Sequence, residues 1–303
     1  MKNRLLLLFL VLVSYVSAQD TIISLWPEDK IPNQLKSSEK EVHEQSEILR
    51  ISKVQVPIIE VYLPSKRDAT GEAVLIFPGG GYGILAYDWE GTDIAKFLNS
   101  KGIAGIVVKY RLPSDVSQKD KKYVPLIDAQ RAIRLVRSNA QRFNVKSDKI
   151  GIIGFSAGGH LASTLGTHFN EKVYKAVDEI DTENARPDFM ALGYPVISFG
   201  EMTHQGSKRN LIGEHPSIDL VDYFSNEKQV TESTPPTFLL HATDDMVVPV
   251  ENSLLFYKAV KDKNISATMH IYPKGGHGFG LGLHDEHLKG WSNLLIEWIV
   301  SLR

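Results

Sequence analysis

The sequence predicts an α/β fold, a mainly parallel central sheet with helices on both faces. Three observations predict it. Short runs rich in Ile, Val, Leu and Phe recur along the chain and are apolar almost throughout, as strands buried on both sheet faces are. Between them lie stretches whose apolar residues return at three- and four-residue steps, the period of helices that bury one face. The two patterns alternate, with no internal repeat, low-complexity tract or Gly/Ser linker to divide them, so residues 19–303 read as a single domain.

The elements follow in order. The chain opens "MKNRLLLLFLVLVSYVSAQD": Lys2 and Arg4 precede an apolar run from Leu5 to Val16, and Val16-Ser17-Ala18 supplies small residues for a cut after Ala18. Residues 1–18 therefore read as a signal peptide, too short for a comfortable membrane span of about 20 residues. Strands are expected at "IIEVYLP" from Ile58, "AVLIFP" from Ala73, "IAGIVVKY" from Ile103, "KIGIIGF" from Lys149, "FMALGYP" from Phe189, "TFLLHA" from Thr237 and "ATMHIY" from Ala267. Leu126, Ala129, Ile133, Val136, Ala140 and Phe143 mark one amphipathic helix. Leu288, Trp291, Leu294, Leu295, Trp298 and Ile299 mark another. Val196 to Pro236 is long, polar and irregular, either an insertion over a site or a surface excursion.

Composition narrows the function classes. Charge is nearly balanced, 34 Lys+Arg against 36 Asp+Glu among 303 residues, so there is no basic stripe for nucleic acid. The absence of cysteine leaves no disulfide framework and no lipid-attachment site. The mature chain is expected in the periplasm or secreted, with no stable membrane anchor after cleavage.

The chemistry concentrates in four short stretches. Gly154-Phe155-Ser156-Ala157-Gly158 is a G-x-S-x-G sequence between an apolar strand and a helix. A serine on so sharp a turn needs flanking positions without side chains, and the following helix N-terminus favours developing negative charge. "LIFPGGGYG" follows another strand; Gly79, Gly80 and Gly81 let the backbone approach a substrate and aim N–H groups at an oxyanion. The oxyanion hole is placed on Gly80 and Gly81, completed by the N–H of Ala157. A phosphate cradle is the rival reading, but G-x-x-x-x-G-K-[ST] and the acidic residue of a dinucleotide fingerprint are both missing. A serine needs a base, and His277 in the glycine-rich "KGGHGFG" loop is the candidate among ten histidines. His270 lies within a strand and is expected to be packed, His160 to hold the helix after Ser156, and His284 and His287 to flank a solvated helix start in "HDEH". The third member of a triad lies in "HATDDMVVP", at Asp244 or Asp245.

"FPGGGYG", "GFSAGGHLA", "HATDDMVVPVENS" and "GGHGFG" together resemble the α/β-hydrolase family of bacterial acetyl xylan esterases and feruloyl/acetyl esterases, related to the hormone-sensitive lipase group. The chain order serine, aspartate, histidine is that of α/β-hydrolases. The resemblance runs from "LWPEDKIPN" to the last helix. Its H-x-x-x-D and D-x-x-V-P patterns converge on Asp245, leaving Asp244 to support the loop through turn hydrogen bonds. The catalytic set it implies is Ser156, Asp245 and His277. Pro78 departs from the wider lipase group, which has a histidine there, so the outer support of the hole must differ. The resemblance implies a serine esterase that forms an acyl-enzyme and deacetylates, or sometimes deferuloylates, plant or algal polysaccharide, with no cofactor and no metal. Its partner would be an acetylated or feruloylated carbohydrate, and short acyl chains would be preferred. The alternatives are a feruloyl or aryl esterase, or a prolyl-oligopeptidase-like peptidase, for which the chain has little room. Tyr82, Tyr87, Trp89 and Tyr194 line an acyl pocket or sit in the core; the sequence allows either.

Overall fold

All seven expected strands form, together with four more among the described residues. A computed structural model describes residues 21–302; the expected signal peptide lies outside the described residues. In chain order the strands are β1 (Thr21–Ser24), β2 (Val42–Gln45), β3 (Leu49–Ser52), β4 (Ile58–Tyr62), β5 (Ala73–Phe77), β6 (Leu85–Ala86), β7 (Ala104–Lys109), β8 (Ile150–Phe155), β9 (Met190–Gly193), β10 (Thr237–Ala242) and β11 (Ala267–Tyr272). The helices are α1 (Asp93–Ser100), α2 (Val124–Ser138), α3 (Ala157–His168), α4 (Gln205–Ile212), α5 (Ile218–Tyr223), α6 (Glu251–Asp262) and α7 (Trp291–Ser301).

Eight strands make one sheet in the order β1-β4-β7-β5-β8-β9-β10-β11, and β2, β3 and β6 make a separate small one. Within the large sheet pairing is parallel from β7 to β11 and antiparallel where β4 meets β7 and β1 meets β4; the small sheet is antiparallel. Burial follows position. Every residue of β5, β8 and β10 is buried, whereas edge strand β1 alternates between half-buried and exposed. That is why the central strands read as unbroken apolar runs.

Both expected amphipathic helices are shorter than their apolar patterns. α2 stops at Ser138, where the Asn139 N–H is shared between the carbonyls of Leu135 and Val136. Ala140 and Phe143 stay buried because the following turns fold them back on the core, ending at Asn144 with φ 55°. Leu288 likewise packs from a turn, ahead of α7. Periodicity registers which residues face the core, and turns can maintain that facing after the helix has ended.

The strand order places the site. From β5 the chain moves one way to β7, then crosses to the other side to enter β8. Connections at the carboxyl ends of β5 and β8 thus leave in opposite directions and open a crevice, the usual place for a ligand in a parallel sheet. The glycine loop follows β5 and Ser156 follows β8.

A buried ion pair ties the first described residues to this frame. Arg111, just beyond β7, donates from Nε and Nη2 to the two oxygens of Asp128 on α2 at 2.8 and 2.7 Å. Trp26 Nε1 donates to the same carboxylate at 2.9 Å, and Arg111 Nη1 to the Pro32 carbonyl at 2.8 Å. Both charged side chains are essentially inaccessible. Breaking a buried pair leaves an uncompensated charge, at a cost of about 3–5 kcal/mol. Asp128→Ala should therefore lower the urea-unfolding free energy by that amount; a change under about 1 kcal/mol would show the pair to be dispensable.

Candidate active site

Ser156 occupies the sharp turn between β8 and α3 with φ 51° and ψ −119°, a conformation that side chains rarely adopt. The turn closes because its flanks are glycines. A Cβ on Gly154 would lie 2.1 Å from the Gly158 carbonyl oxygen, and a Cβ on Gly158 would lie 2.1 Å from that of Phe77. The second contact also presses the start of α3 against the end of β5, bringing the two motif-bearing loops together.

Ser156, His277 and Asp245 stand in a hydrogen-bonded series. His277 Nδ1 is 2.7 Å from Asp245 Oδ2, and Nε2 is 2.9 Å from Ser156 Oγ. The carboxylate can only accept, so Nδ1 carries the proton and Nε2 is left to accept from the serine hydroxyl. Asp245 is buried, and its other oxygen accepts the N–H groups of Val247 and Val248 at 2.9 Å each. Burial pushes its carboxyl up, but hydrogen bonds from His241, His277 and Val248 outweigh this and hold it well below the ordinary carboxylate value. Asp244 precedes Asp245 on a turn rather than in an extended segment, and both carboxylates reach the histidine loop. That of Asp244 reaches beyond its own turn, its Oδ1 accepting the Gly276 N–H in the histidine loop at 2.7 Å.

The glycine loop divides its N–H groups. That of Gly79 donates to Glu90 Oε2 at 2.8 Å. Those of Gly80, Gly81 and Ala157 are paired with no acceptor among the described residues. The carbonyl of Pro78 accepts from Tyr110 Oη at 2.8 Å, and that of Gly81 from Asn210 Nδ2 on α4 at 2.8 Å. Glu90 and Asn210 carried no signal in the sequence: an acid in "DWEGT" and an amide in a polar stretch look solvated until the fold buries or docks them.

The segment 196–236 is built rather than irregular, with α4 and α5 each capped by its preceding residue, His204 and Ser217. Through Asn210 and His204 it packs on the glycine loop; the His204 ring lies 3.5 Å from where a Cβ of Gly81 would stand. Burial and the nearby His277 and Arg209 lower the His204 pKa. Tyr82, Tyr87 and Tyr194 are buried, while Trp89 is half-buried beside the histidine loop, its Nε1 donating to the Gly278 carbonyl at 2.8 Å. His284 and His287 lie on an exposed turn instead of a helix start, the helix beginning only at Trp291. Among the described residues no cluster of three or more His, Cys, Asp or Glu is disposed to hold a metal ion, and no helix is long and apolar enough to cross a membrane.

The sheet order and the residues gathered at its crevice define an α/β-hydrolase. The BD-FAE family model matches residues 59–260, and the chain belongs to that family. It is 38% identical over 237 residues to endo-1,4-beta-xylanase B of Butyrivibrio fibrisolvens, covering 78% of this chain and 36% of the relative. It is 35% identical over 250 residues to an acetylxylan esterase of Xylanibacter ruminicola, covering 80% and 47%. The chain thus spans between a third and a half of the length of these two relatives. In structure it resembles an acetyl ester-xyloside bifunctional hydrolase from Caldicellulosiruptor lactoaceticus, with a TM-score of 0.82, 39% identity and coverage of 95% of this chain and 98% of that one.

His160, on α3, joins three parts of the site. Its Nε2 donates to the Phe224 carbonyl at 2.8 Å, its Nδ1 accepts from Tyr82 Oη at 2.8 Å, and its ring stacks on Phe199 at 4.3 Å. This pairing fits the neutral ring, and burial pushes its pKa from 6.5 down to about 4. The folded value is depressed, so the stability contributed by neutral His160 is complete above about 6.5. It is lost as the pH falls from there to about 4, because the unfolded chain binds the proton first. At about 1.4 kcal/mol for each pH unit between the two values, the loss is on the order of 3 kcal/mol. Unfolding free energies measured across this range should fall less steeply in His160→Gln than in the wild type; equal slopes would contradict a neutral, buried His160.

Proposed function

We propose that this chain is a serine carboxylesterase that removes acetyl groups from xylan-type polysaccharide or oligosaccharide through an acyl-enzyme. The observation that carries the reading is the series Ser156–His277–Asp245 beside three N–H groups that have no acceptor among the described residues. The acetylxylan esterase and the acetyl ester-xyloside bifunctional hydrolase that it resembles favour acetylated xylan as the substrate class.

In this reading His277 Nε2 takes the hydroxyl proton as Ser156 Oγ attacks the acetyl carbonyl carbon. The carbonyl oxygen becomes an oxyanion held by the N–H groups of Gly80, Gly81 and Ala157. Asp245 stabilises the imidazolium and fixes its orientation. Collapse of the intermediate breaks the bond to the sugar oxygen, which leaves with the proton from His277. Water then enters, gives its proton to His277, and attacks the acyl-enzyme; acetate departs and Ser156 recovers its proton. A leader over residues 1–18 would take the mature enzyme to the periplasm or outside the cell, where polymeric substrate lies.

Ser156→Ala should lower turnover of an acetyl ester by on the order of 10⁶ without changing the circular dichroism spectrum. An organophosphonate should label the wild type at Ser156; label elsewhere, or an active alanine variant, rules the nucleophile out.

Asp245→Asn should cost about 10⁴ in turnover, since an amide neither stabilises the imidazolium nor secures the tautomer. Asp244→Asn should cost far less, because its amide oxygen still accepts from Gly276. Reversed losses would move the triad to Asp244. In a hydrolysis panel, acetylated xylan and short-chain nitrophenyl esters should exceed methyl ferulate and long-chain esters; a preference for ferulate would favour the feruloyl reading.

A further inference from the structure

Glu90 has no part in the reaction as derived above, yet it is a carboxylate buried at the meeting point of the two reacting loops. It is 4% exposed. Oε2 accepts the Gly79 N–H at 2.8 Å, and Oε1 accepts from Tyr194 Oη at 2.8 Å. Tyr194 Oη in turn accepts the Gly280 N–H at 3.1 Å, three residues beyond His277, and its ring meets the His277 imidazole edge-on at 5.1 Å. The preceding residue repeats the link, Trp89 Nε1 donating to Gly278. One short segment thus holds the glycine loop on one side and the histidine loop on the other.

The donor count shows how tight the link is. Both carboxylate oxygens of Glu90 face donors, and Tyr194 Oη both donates to Glu90 and accepts from Gly280. The Gly79 N–H, engaged by Glu90, is withheld from substrate, which leaves the next two N–H groups of the loop to face it. An oxyanion hole works only if its donors are fixed before charge develops. The base must also keep its distance from the nucleophile while those donors stay aimed.

We propose that Glu90, acting through Gly79 and Tyr194, is a positioning residue that sets the oxyanion donors and His277 in register. The inference rests on the esterase reading. It assigns Glu90 no contact with substrate. Its loss should therefore lower the rate of the chemical step and leave ground-state binding nearly unchanged.

The test compares Glu90→Ala, Tyr194→Phe and the double variant with the full mature wild type, using p-nitrophenyl acetate. Each single variant should lose about 10- to 100-fold in kcat with KM within about twofold, a smaller loss than outright removal of an oxyanion-hole donor. Phosphonate titration of Ser156 corrects kcat for the fraction of competent sites, which a merely destabilising change would reduce. The double variant should be little worse than Glu90→Ala, since the two side chains act as one link. Wild-type kcat per competent site in the variants, a loss confined to KM, or losses that multiply would overturn the proposal. If Glu90→Ala does not fold, Tyr194→Phe, which removes one hydroxyl, decides by the same criteria. A wild type inactive on every ester would sink the esterase reading and this inference with it; an active wild type with unaffected variants sinks the inference alone.

Discussion

Two carbonyl oxygens leave no room for a side chain on either side of Ser156, and the rest of the site depends on that closeness. Gly154 meets the Gly158 carbonyl and Gly158 meets that of Phe77. The first contact lets β8 turn into α3 within one residue, forcing Ser156 to a positive φ and its side chain out of the sheet. The second joins that turn to the end of β5. The glycine loop is consequently beside the serine because the backbones touch, and the N–H of Ala157 comes with it as the first residue of the helix. Any side chain at these positions would separate a hydroxyl from the groups meant to serve it.

Sequence reasoning reached furthest where local geometry dictates residue type. The turn around Ser156 needs glycines, so a pattern of five residues marks it. Fully buried parallel strands need apolar runs, so β5, β8 and β10 were legible. The preference for Asp245 over Asp244 came from the resemblance, whose H-x-x-x-D and D-x-x-V-P patterns converge on it, and the structure shows what the histidine of the first pattern does. His241 Nε2 approaches the Asp245 carboxylate at 3.3 Å and donates to the Val248 carbonyl at 3.0 Å, shaping the loop that carries it. Glu90, Asn210 and His204 were illegible because their significance lies in partners far along the chain. The sequence could not show that Glu90 is buried, since an acid is almost always solvated unless paired. The helix ends were missed for a different reason: apolar spacing reports burial, which turns also supply.

Pro78 raised a specific difficulty, because the wider lipase group has a histidine at that place to brace its glycine loop. The structure braces the loop from other directions. Tyr110 holds the Pro78 carbonyl, Glu90 holds the Gly79 N–H, and Asn210 holds the Gly81 carbonyl. These three supports come from the end of β7, from the segment before α1 and from α4. A loop rich in glycine is flexible by composition, but here nearly every peptide that does not face the crevice is engaged. Rigidity is conferred from outside, leaving the backbone free of side chains where substrate must approach.

The clamp on the earliest described residues bears on the order of assembly. Trp26 seats on Asp128, and the Leu25 carbonyl accepts from Arg131, partners that lie more than a hundred positions further along. Arg131 is itself held by Asp178 and Asp181. A chain emerging from the ribosome with its amino end leading has to expose Leu25 and Trp26 until α2 has been made. Closing so long a loop carries an entropy cost that local contacts do not offset at that stage. The seating of Leu25 and Trp26 on α2 therefore waits for that helix, whereas β1 just before them has its partner β4 at hand much earlier in synthesis.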